Sequence, residues 1–341
     1  MAKLALGIIL NFVLTKIKMM KAVRINEYGG PEVLKLEELE RPVPAKDEIL
    51  VKVFASGVNP VDWAIRNGAN EAMRSFLTLP LTLGWDAAGI VEEIGGEVTS
   101  LKVGDAVYGV PNFPGDGSYA EYCVAKATQF AIKPNSIGFI ESAGVPLAAL
   151  TAWTGMFEYG NLQAGQRILI QGASGGVGSF AVQFAKAKGA YVIAIASVGN
   201  LDYLREIGAD EVIDYKTQKY EELLHDIDIV LEASPMRDHM ERLKSVSVLN
   251  AGGILVSVNT DFPFNDELKE AISRKNAIAE LSPNQPRQEW LAEIAQLIDE
   301  GKVKVFINKV FALEDVAKAH RESESWHVRG KLVLEIKKDK E

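Results

Sequence analysis

A glycine-rich turn is the segment of this chain best suited to bind a phosphate-bearing ligand. Residues 172 to 178 include four glycines and join a hydrophobic run, residues 168 to 170, to an amphipathic stretch near 177 to 188. Glycines allow a tight turn and let the main chain approach a pyrophosphate, whose charge meets free amides and the positive end of a helix. On their own the glycines also fit an ordinary strand-to-helix turn, but the succession of strand, glycines, helix and second strand favours a dinucleotide site. Its candidate contacts are Ser174, Gly175, Gly176 and Val177.

The residue at the end of the second predicted strand bears on which dinucleotide is bound. Folds specific for NAD place Asp or Glu there, roughly 20 residues past the glycines, to accept hydrogen bonds from the ribose 2′-hydroxyl. The same carboxylate would repel the 2′-phosphate of NADPH. Here residues 191 to 196 are followed by Ser197, which can donate to a phosphate and carries no negative charge. The sequence therefore predicts a preference for NADPH over NADH.

The elements that position this turn divide the chain into two kinds of structure. Up to about residue 143 the sequence has short β-rich runs between Gly and Pro, which is typical of a compact β domain. From about residue 144 strands alternate with helical stretches, which predicts a doubly wound parallel sheet. The predicted strands are residues 21 to 25, 49 to 54, 87 to 94, 106 to 110 and 119 to 124 in the first part, and 168 to 170, 191 to 196, 211 to 213, 227 to 231 and 253 to 258 in the second. Further helices are predicted near 201 to 207, 218 to 225 and 238 to 249.

The last part of the chain is expected to return to the first domain. Beyond about residue 283 the pattern predicts a helix near 287 to 300, a strand at 303 to 306, a helix at 314 to 321 and a strand at 331 to 336. The predicted fold class is α/β. Its predicted parts are an N-terminal extension of residues 1 to 18, a β domain of residues 19 to 143 and 283 to 341, and a dinucleotide-binding domain of residues 144 to 282.

Composition and charge exclude several classes of function. The chain has 341 residues, a net charge of -9 and no cluster of Lys and Arg that would overcome this charge, so nucleic acid is not an expected partner. Cys123 is the only cysteine, which rules out an internal disulfide and a four-cysteine zinc lobe and suits a reducing cytoplasm. The histidines, His225, His239, His320 and His327, have no ligand spacing, and we expect each at the surface or at a helix cap.

The first eighteen residues differ from the rest of the chain. Lys3 precedes an apolar run, residues 4 to 14, that is interrupted only by Gly7 and Asn11. The run is shorter than the roughly 20 apolar residues of a membrane span, and no signal-peptide cleavage site follows it. We therefore expect a nonessential extension and no integral membrane span, with a peripheral membrane anchor as the alternative.

A long motif and several shorter ones are shared with a known family. The long motif is residues 165 to 178 with Gln183 and Lys186. The shorter motifs are residues 21 to 23 with 29 to 31, 57 to 62, 117 to 122, 208 to 215 and 327 to 331. Over about residues 19 to 337 the chain thus resembles the quinone oxidoreductase and ζ-crystallin branch of the medium-chain dehydrogenase/reductase family. The resemblance implies a GroES-like catalytic domain built from both chain ends, a Rossmann domain between them that binds NADPH, a cleft for the nicotinamide, and a homodimer.

The resemblance also implies roles for individual residues. Asn59 matches a position near the nicotinamide, where its amide could bond the carboxamide or the acceptor oxygen; alternatively it only finishes a turn before Pro60. Thr151 matches a threonine that contacts the cofactor, although a threonine inside a helix can instead bond its own backbone. Apart from the resemblance, the residue type makes Tyr119 a candidate: it could donate a proton to a reduced oxygen if it faces the cleft, and a core tyrosine is the alternative.

Further candidate contacts concern the two ends of the cofactor. Tyr215 matches the position where relatives bring an aromatic hydroxyl near the adenosine. The basic residue that many relatives supply between Ser197 and Tyr215 is Asn200 here, so the phosphate lacks a charge-assisted hydrogen bond, a class worth about 1.5 to 3 kcal/mol. The NADPH preference is therefore expected to be modest. Val258 and Asn259, where the strand at 253 to 258 ends, complete the candidate cofactor contacts.

The ligands of a catalytic zinc are missing from the matching positions. Zinc members of the family carry cysteine where this chain has Asn59, and a His-Glu pair where it has Trp85 and Asp86. Without a metal to polarise a carbonyl, acceptors that are already electrophilic are favoured over simple alcohols. The resemblance thus implies a zinc-independent quinone oxidoreductase that uses NADPH, and the single cysteine favours a cytoplasmic location. The alternatives are an enone reductase and a crystallin-like NADPH-binding protein with little turnover.

Overall fold

A computed structural model describes residues 18 to 68 and 71 to 338 of the chain. The predicted N-terminal extension, residues 1 to 18, lies outside the described residues except for Lys18. Among the described residues, no helix is long and apolar enough to cross a membrane.

Strands are the main regular structure in the first part of the chain. They are β1 (Met19–Ile25), β2 (Leu34–Glu40), β3 (Glu48–Val58), β4 (Leu81–Thr82), β5 (Ala87–Ile94), β6 (Ala106–Gly109), β7 (Tyr122–Lys126) and β8 (Phe130–Ile132). β1 lies between β2 and β4 in a small antiparallel sheet. A larger sheet has β3, β5, β6 and β8 in that order, with β7 also paired to β3. Every one of these pairings is antiparallel, so this part does not follow a βαβ pattern.

Short helices connect these strands to the second part of the chain. They are α1 (Pro60–Arg66), α2 (Glu71–Arg74), α3 (Phe139–Ala143) and α4 (Pro146–Trp153), and a π-helix (Thr154–Tyr159) continues α4. None of them was predicted from the sequence. α1 is a helix of only two turns that starts just after β3, and α4 is buried on nearly every side. Neither therefore shows the 3.6-residue repeat of apolar residues that marks an amphipathic helix in a sequence.

A parallel sheet with alternating helices forms the second part. Its elements are β9 (Arg167–Gln171), α5 (Gly176–Lys188), β10 (Tyr191–Ala196), α6 (Leu201–Glu206), β11 (Glu211–Asp214), α7 (Tyr220–Leu223), β12 (Ile227–Glu232), α8 (His239–Val248), β13 (Leu249–Ser257), α9 (Asp266–Lys275) and β14 (Ile278–Leu281). The strand order is β11-β10-β9-β12-β13-β14, with parallel neighbours throughout. Numbered from β9, this is the Rossmann order 3-2-1-4-5-6. Ligands of such sheets bind beyond the carboxyl ends of the strands where the order reverses, which here is beside β9.

Burial explains why β9 and α5 take these positions. Ile168, Leu169 and Ile170 are fully buried, as a central strand covered by helices on both faces must be. α5 packs its apolar face inward and keeps Lys188 outside. It ends at Gly189, whose φ of +85° lies in the left-handed region that favours glycine.

The C-terminal part contributes to the first of the two larger sheets. Its elements are α10 (Gln288–Asp299), β15 (Ile307–Ala312), α11 (Val316–Glu324) and β16 (Lys331–Glu335). β16 pairs with β3 antiparallel and with β15 in parallel. The C-terminal strands therefore join β3 of the first part in one sheet, while the predicted domain boundaries at residues 143 and 283 stay predictions.

One predicted strand is wrong and another is shortened. Residues 303 to 306 form no strand, because the side chain of Gln183 bonds both the Lys304 amide, at 2.7 Å, and its carbonyl oxygen, at 3.1 Å. Pairing starts only at β15. The strand predicted at 119 to 124 starts at Tyr122, because Tyr119 donates its amide to the Leu83 carbonyl oxygen at 2.9 Å instead of joining β7.

Candidate functional site

The glycine turn, residues 172 to 178, follows β9, and three of its glycines meet different requirements. Gly172 has a φ of +68°, a left-handed conformation that favours glycine. A Cβ on Gly178 would overlap the Gly172 carbonyl and lie 2.5 Å from Cα of Ala173, so α5 packs directly on the turn. A Cβ on Gly175 would meet only the Gly172 carbonyl oxygen, at 3.4 Å. The turn therefore combines a tight bend, a close helix contact and, at Gly175, open space in front of the main chain.

Helix α5 presents its positive end to this open space. Gly175 is the N-cap, no side chain of the described residues caps the helix, and its first turn carries no carboxylate. The first amides of a helix have no partner within it, so these can donate to an anion. A pyrophosphate fits here, because its negative charge meets both the amides and the helix dipole. The predicted contacts Ser174, Gly175, Gly176 and Val177 thus lie together at the carboxyl end of β9.

The C-terminal segment crosses the glycine turn, which the sequence did not predict. The Gly330 amide donates to the Ser174 carbonyl oxygen at 2.9 Å, and Gly330 forms a β-bridge with the next residue of the turn. The following residue, Lys331, runs its side chain past Gly176 and ends at Asn59. A short crossing thus joins the glycine turn, the candidate pyrophosphate site, to Asn59, the residue expected beside the nicotinamide.

Lys331, Asn59 and Asp86 form a buried group, the lysine cluster, beside this crossing. Their exposed fractions are 4%, 4% and 0%. The Lys331 ammonium donates to the Asn59 side-chain oxygen, to Asp86 Oδ2 at 3.1 Å and to the Val58 carbonyl oxygen at 3.3 Å. Asn59 Nδ2 donates to Asp86 Oδ2 at 2.7 Å, and the Leu147 amide donates to Asp86 Oδ1 at 2.6 Å. The two buried charges are therefore paired and hydrogen-bonded, as burial of charge requires.

The lysine cluster fixes the orientation of the Asn59 side chain. An ammonium can only donate, so the Asn59 atom facing Lys331 is the oxygen, and Nδ2 faces Asp86. One Nδ2 hydrogen bonds Asp86, which leaves the second for another acceptor. The Asn59 main-chain amide is also held, because it donates to Asp62 Oδ2 at 2.7 Å. Asn59 is thus a rigidly oriented amide with one side-chain N–H to offer.

Tyr119, the predicted proton donor, lies in the protein core. Its exposed fraction is 0%, and its hydroxyl donates to Asp62 Oδ2 at 2.8 Å. Burial and the neighbouring Asp62 carboxylate raise the pKa of Tyr119 well above its usual value. Burial also raises the pKa of Asp62 to about 7, against the hydrogen bonds from Asn59 and Tyr119 that lower it. This geometry favours the core alternative, in which Tyr119 orients Asp62 at the start of α1.

His320 lies in the core as well, so its predicted surface or cap position is wrong. Its exposed fraction is 0%, with Arg66 Nη1 at 3.1 Å from Nδ1 and the Tyr119 hydroxyl at 3.3 Å from Nε2. Since a guanidinium can only donate, Nδ1 accepts and the proton sits on Nε2. Burial and the charge of Arg66 lower the pKa of His320 to about 3, so the ring is neutral. A signal existed, because His320 is four residues after Val316 on the apolar face of α11.

The predicted residues of the adenosine end are neighbours beyond β10 and β11. Ser197 is followed by a 3-10 turn, Val198–Asn200, and Asn200 Nδ2 donates to Ser197 Oγ at 3.2 Å. The Tyr215 amide donates to the Ala196 carbonyl oxygen at 3.4 Å, and the Tyr215 side chain is 53% exposed. Ser197 and Asn200 are thus in contact where a fold specific for NAD would place a carboxylate, and the main chain of Tyr215 lies beside them.

Val258 and Asn259 follow β13 and are held by the end of β12. The Val258 amide donates to the Glu232 carbonyl oxygen at 3.1 Å. Asn259 Nδ2 donates to Glu232 Oε1 and to the Ser234 carbonyl oxygen, both at 2.9 Å. Glu232 is buried and paired with Arg242 at 2.7 Å. These two candidates thus lie at the same carboxyl edge of the sheet as the glycine turn.

Thr151 lies inside α4 and is half-buried. Its hydroxyl donates to the Leu147 carbonyl oxygen at 2.7 Å, the backbone bond of the helix-interior alternative. Its oxygen also accepts from Asn284 Nδ2 at 3.0 Å. Because the Leu147 amide bonds Asp86, Thr151 lies one helical turn beyond the lysine cluster.

Known proteins match nearly the whole chain. The family profile described as "Zinc-binding dehydrogenase" matches residues 207–334, and "Alcohol dehydrogenase GroES-like domain" matches residues 45–135. "Quinone oxidoreductase" of Mus musculus is 32% identical over 319 residues, covering 89% of this chain and 94% of the mouse protein. "NADPH-dependent alkenal/one oxidoreductase, chloroplastic" of Arabidopsis thaliana is 35% identical over 331 residues, covering 93% of this chain and 80% of the plant protein. The crystal structure of Escherichia coli quinone oxidoreductase complexed with NADPH matches with a TM-score of 0.81 at 29% identity, covering 93% of this chain and 100% of that one.

These similarities confirm the predicted fold class. The GroES-like match covers β3 to β8, the antiparallel part of the chain. The parallel sheet from β9 to β14 has the Rossmann strand order, and the solved structure agrees over nearly the full length. The chain is therefore an α/β protein with a GroES-like β domain and a doubly wound parallel sheet.

Proposed function

The chain belongs to the medium-chain dehydrogenase/reductase family, among relatives named quinone oxidoreductase, and on this premise we propose that it passes a hydride from NADPH to a quinone without zinc. The observation that carries the proposal is the crossing of Gly330 and Lys331 over the glycine turn. It puts a site suited to a pyrophosphate directly beside Asn59, an amide donor held by an ammonium instead of a metal.

The residues that would hold NADPH lie along the carboxyl edge of the parallel sheet. Bound NADPH supplies the hydride from its nicotinamide ring. Residues 174 to 177 would hold the pyrophosphate through main-chain amides. Ser197 and Tyr215 would contact the adenosine end, and Asn59, Val258 and Asn259 the nicotinamide end. The chain then has to orient the two reactants and exclude water.

The contacts within the lysine cluster support the proposal of zinc independence. A catalytic zinc needs deprotonated nitrogen, sulfur or carboxylate ligands with an open position. Asn59 offers a neutral amide, and the Asp86 oxygens already accept from Lys331, Asn59 and Leu147. A zinc ion at this place would also meet the like charge of the Lys331 ammonium. Within residues 18 to 68 and 71 to 338, no group of three or more His, Cys, Asp or Glu side chains is arranged to hold a metal ion.

Quinones suit this site better than alcohols do. A quinone takes up a hydride and a proton to give a hydroquinone and needs no Lewis acid to become electrophilic. The free Nδ2 hydrogen of Asn59 could bond the carbonyl oxygen on which negative charge develops. An enone, which takes hydride at its β-carbon and a proton at its α-carbon, meets the same requirements. Enone reduction is the second candidate, favoured by the similarity to the plant alkenal/one oxidoreductase.

A cytoplasmic homodimer belongs to the same proposal. Cys123 is free and buried, and burial raises the pKa of its thiol to about 12. The single cysteine is thus an unreactive free thiol, which suits the reducing cytoplasm. In the described chain β14 has a strand neighbour on one side alone, which leaves an edge for a second copy. Size-exclusion chromatography with light scattering tests the dimer.

A panel of acceptors is the experiment that tests the proposed function. Purified full-length protein is mixed with NADPH and small quinones or conjugated enones, and with NADP and simple alcohols, while nicotinamide absorbance is followed. We expect kcat/KM for the best quinone to exceed that for any alcohol by at least about 100-fold, because no Lewis acid polarises a simple carbonyl. Each acceptor is also measured without protein, since quinones react with NADPH on their own.

Each result of the panel selects a function. Faster turnover of enones than quinones selects the alkene reductase. NADPH binding without turnover of any acceptor selects the binding protein with little activity. Turnover of alcohols alone would show that the proposed function is wrong.

A further inference from the structure

We propose that Trp85 is a catalytic residue whose indole N–H donates a hydrogen bond to the acceptor oxygen during hydride transfer. The inference rests on the proposed function, and it gives that oxygen a second donor besides Asn59. Hydride converts a quinone into the hydroquinone anion, and a proton from water then completes the hydroquinone. A donor aimed at the oxygen that carries this transient charge lowers the barrier to hydride transfer.

The indole N–H of Trp85 is a buried hydrogen-bond donor. Trp85 is 1% exposed, and its Nε1 has no hydrogen-bond partner within residues 18 to 68 and 71 to 338. Tryptophan has this one polar group, which can only donate, and buried tryptophans usually pair it. A buried donor left unpaired costs free energy, so its presence requires an explanation. The oxygen of a bound acceptor supplies the missing partner.

The main chain is held on both sides of Trp85. Gly84 has a φ of +95°, which favours glycine, and its carbonyl oxygen accepts from the Ser118 amide at 2.7 Å. The Asp86 carbonyl oxygen accepts from Ser56 Oγ at 2.8 Å. Because both neighbours are fixed, the backbone of Trp85 cannot turn to give the indole another partner.

Trp85 adjoins the lysine cluster and its amide donor. It directly precedes Asp86, whose Oδ2 accepts from Asn59 Nδ2 at 2.7 Å, and Asn59 keeps its second Nδ2 hydrogen for another acceptor. Lys331 pairs with Asp86 at 3.1 Å, so this carboxylate is neutralised and does not repel an oxyanion. Trp85 and Asn59 thus each bring one N–H to the surroundings of Asp86. Two such donors form the usual site for a developing oxyanion.

The Phe113 ring packs against Trp85 and is itself at the surface. The two rings meet edge to face, with centroids 5.1 Å apart and planes at 75°, and Phe113 is 45% exposed. Phe113 belongs to residues 111 to 116, which form neither helix nor strand. Access to the indole therefore requires movement of one half-exposed ring, and a flat acceptor ring offers a similar aromatic contact in its place.

NMR of the indole N–H groups tests the hydrogen bond without any hydride transfer. The chain has five tryptophans, and in ¹⁵N-labelled protein the variant Trp85→Phe identifies the signal of Trp85 by its loss. 4-Nitrophenolate, which carries a negative charge on a ring oxygen, stands in for the hydroquinone anion and is titrated into full-length protein with NADP. We expect the Trp85 proton to move downfield by about 0.5 ppm or more, because a charge-assisted hydrogen bond is short and strong. The signal of Trp290, a buried residue of α10 that Trp290→Phe identifies, should not move.

Turnover of matched variants tests whether this hydrogen bond serves catalysis. Trp85→Phe keeps a planar ring and removes the N–H, while benzothienylalanine at position 85 keeps the bicyclic shape with sulfur in place of the N–H. For both we expect kcat with a small quinone to fall roughly 10- to 100-fold, slightly less than the loss of a typical oxyanion-hole donor, with the dissociation constant of NADPH changed less than about 2-fold. Trp290→Phe makes the same substitution at a buried tryptophan outside the site and should change neither value.

The outcomes separate the inference from the proposed function. If the benzothienylalanine variant reduces quinones at the wild-type rate, the role of Trp85 is refuted and the proposed function stands. If 4-nitrophenolate binds and the Trp85 signal does not move, the N–H serves the core, for example through a buried water, and the inference is refuted. If wild type reduces neither quinones nor enones, the proposed function and the role of Trp85 are overturned together.

Discussion

The variant Lys331→Met is expected to lower the free energy of unfolding by about 3 to 5 kcal/mol, because it leaves the Asp86 carboxylate buried without its cation. Asp86 has an exposed fraction of 0% and Lys331 one of 4%, so water does not replace the ammonium. Methionine keeps most of the lysine stem and preserves the packing past Gly176. Turnover should fall as well, because Asn59 loses the partner that orients its amide. Urea denaturation followed by circular dichroism measures the loss of stability.

Two more variants show whether burial causes this loss. Lys46 pairs with Glu97 at 2.8 Å with side chains 73% and 58% exposed, so Lys46→Met should cost less than about 1 kcal/mol. Adding Asp86→Asn to Lys331→Met should restore most of the stability. Asn59 can rotate its side-chain amide so that its oxygen accepts a hydrogen bond from the amide introduced at position 86. A loss for Lys331→Met no larger than that for Lys46→Met would contradict the buried ion pair.

The variant Gly175→Ala is expected to raise the dissociation constant of NADPH at least about tenfold while the protein stays folded. The backbone of Gly175, with φ of -77° and ψ of -178°, suits any residue, and the new methyl group would meet only the Gly172 carbonyl oxygen at 3.4 Å. The change in stability should stay within about 1 kcal/mol. The methyl group would instead fill the space through which the main chain is proposed to approach the pyrophosphate. Nicotinamide fluorescence on titration with NADPH gives the dissociation constant.

Two glycines serve as controls for this result. Gly178→Ala places its methyl group 2.5 Å from Cα of Ala173, so it should lower the free energy of unfolding by about 1 to 3 kcal/mol. Gly96 has nothing within 4 Å of an added Cβ, so Gly96→Ala should change neither stability nor NADPH binding. Unchanged NADPH affinity in Gly175→Ala would refute the glycine turn as the pyrophosphate site.

The parallel sheet was predictable from the sequence because its signals are local. Runs such as residues 168 to 170 are apolar over their whole length, which is what a strand covered on both faces requires. The strand predicted at 303 to 306 failed because a side chain of α5, that of Gln183, takes its backbone hydrogen bonds. Helix α4 was missed because nearly all its residues are buried and apolar. Its sequence therefore lacks the alternation of apolar and polar residues by which a helix is recognised.

The site was predictable only where its residues are close in sequence. The glycine turn is a single segment, and the sequence located it together with Ser197 at the end of the next strand. The lysine cluster joins Lys331 to Asn59 across 272 positions and to Asp86 across 245, so its ion pair depends on β16 returning to β3. In the sequence, Asn59 and Trp85 replace the ligand types that a catalytic zinc requires, but no local pattern places the Lys331 ammonium between Asn59 and Asp86.

Turnover after metal removal is the most direct test of the claim that an ammonium, and no zinc, organises this site. Purified protein is treated with a strong chelator, its zinc content is measured, and NADPH oxidation by a small quinone is assayed before and after. We predict that kcat/KM changes less than about 2-fold once zinc is below about 0.05 atoms per chain, because Lys331 already holds Asn59 and Asp86. Stoichiometric zinc whose removal abolishes turnover, and whose return restores it, would contradict the claim.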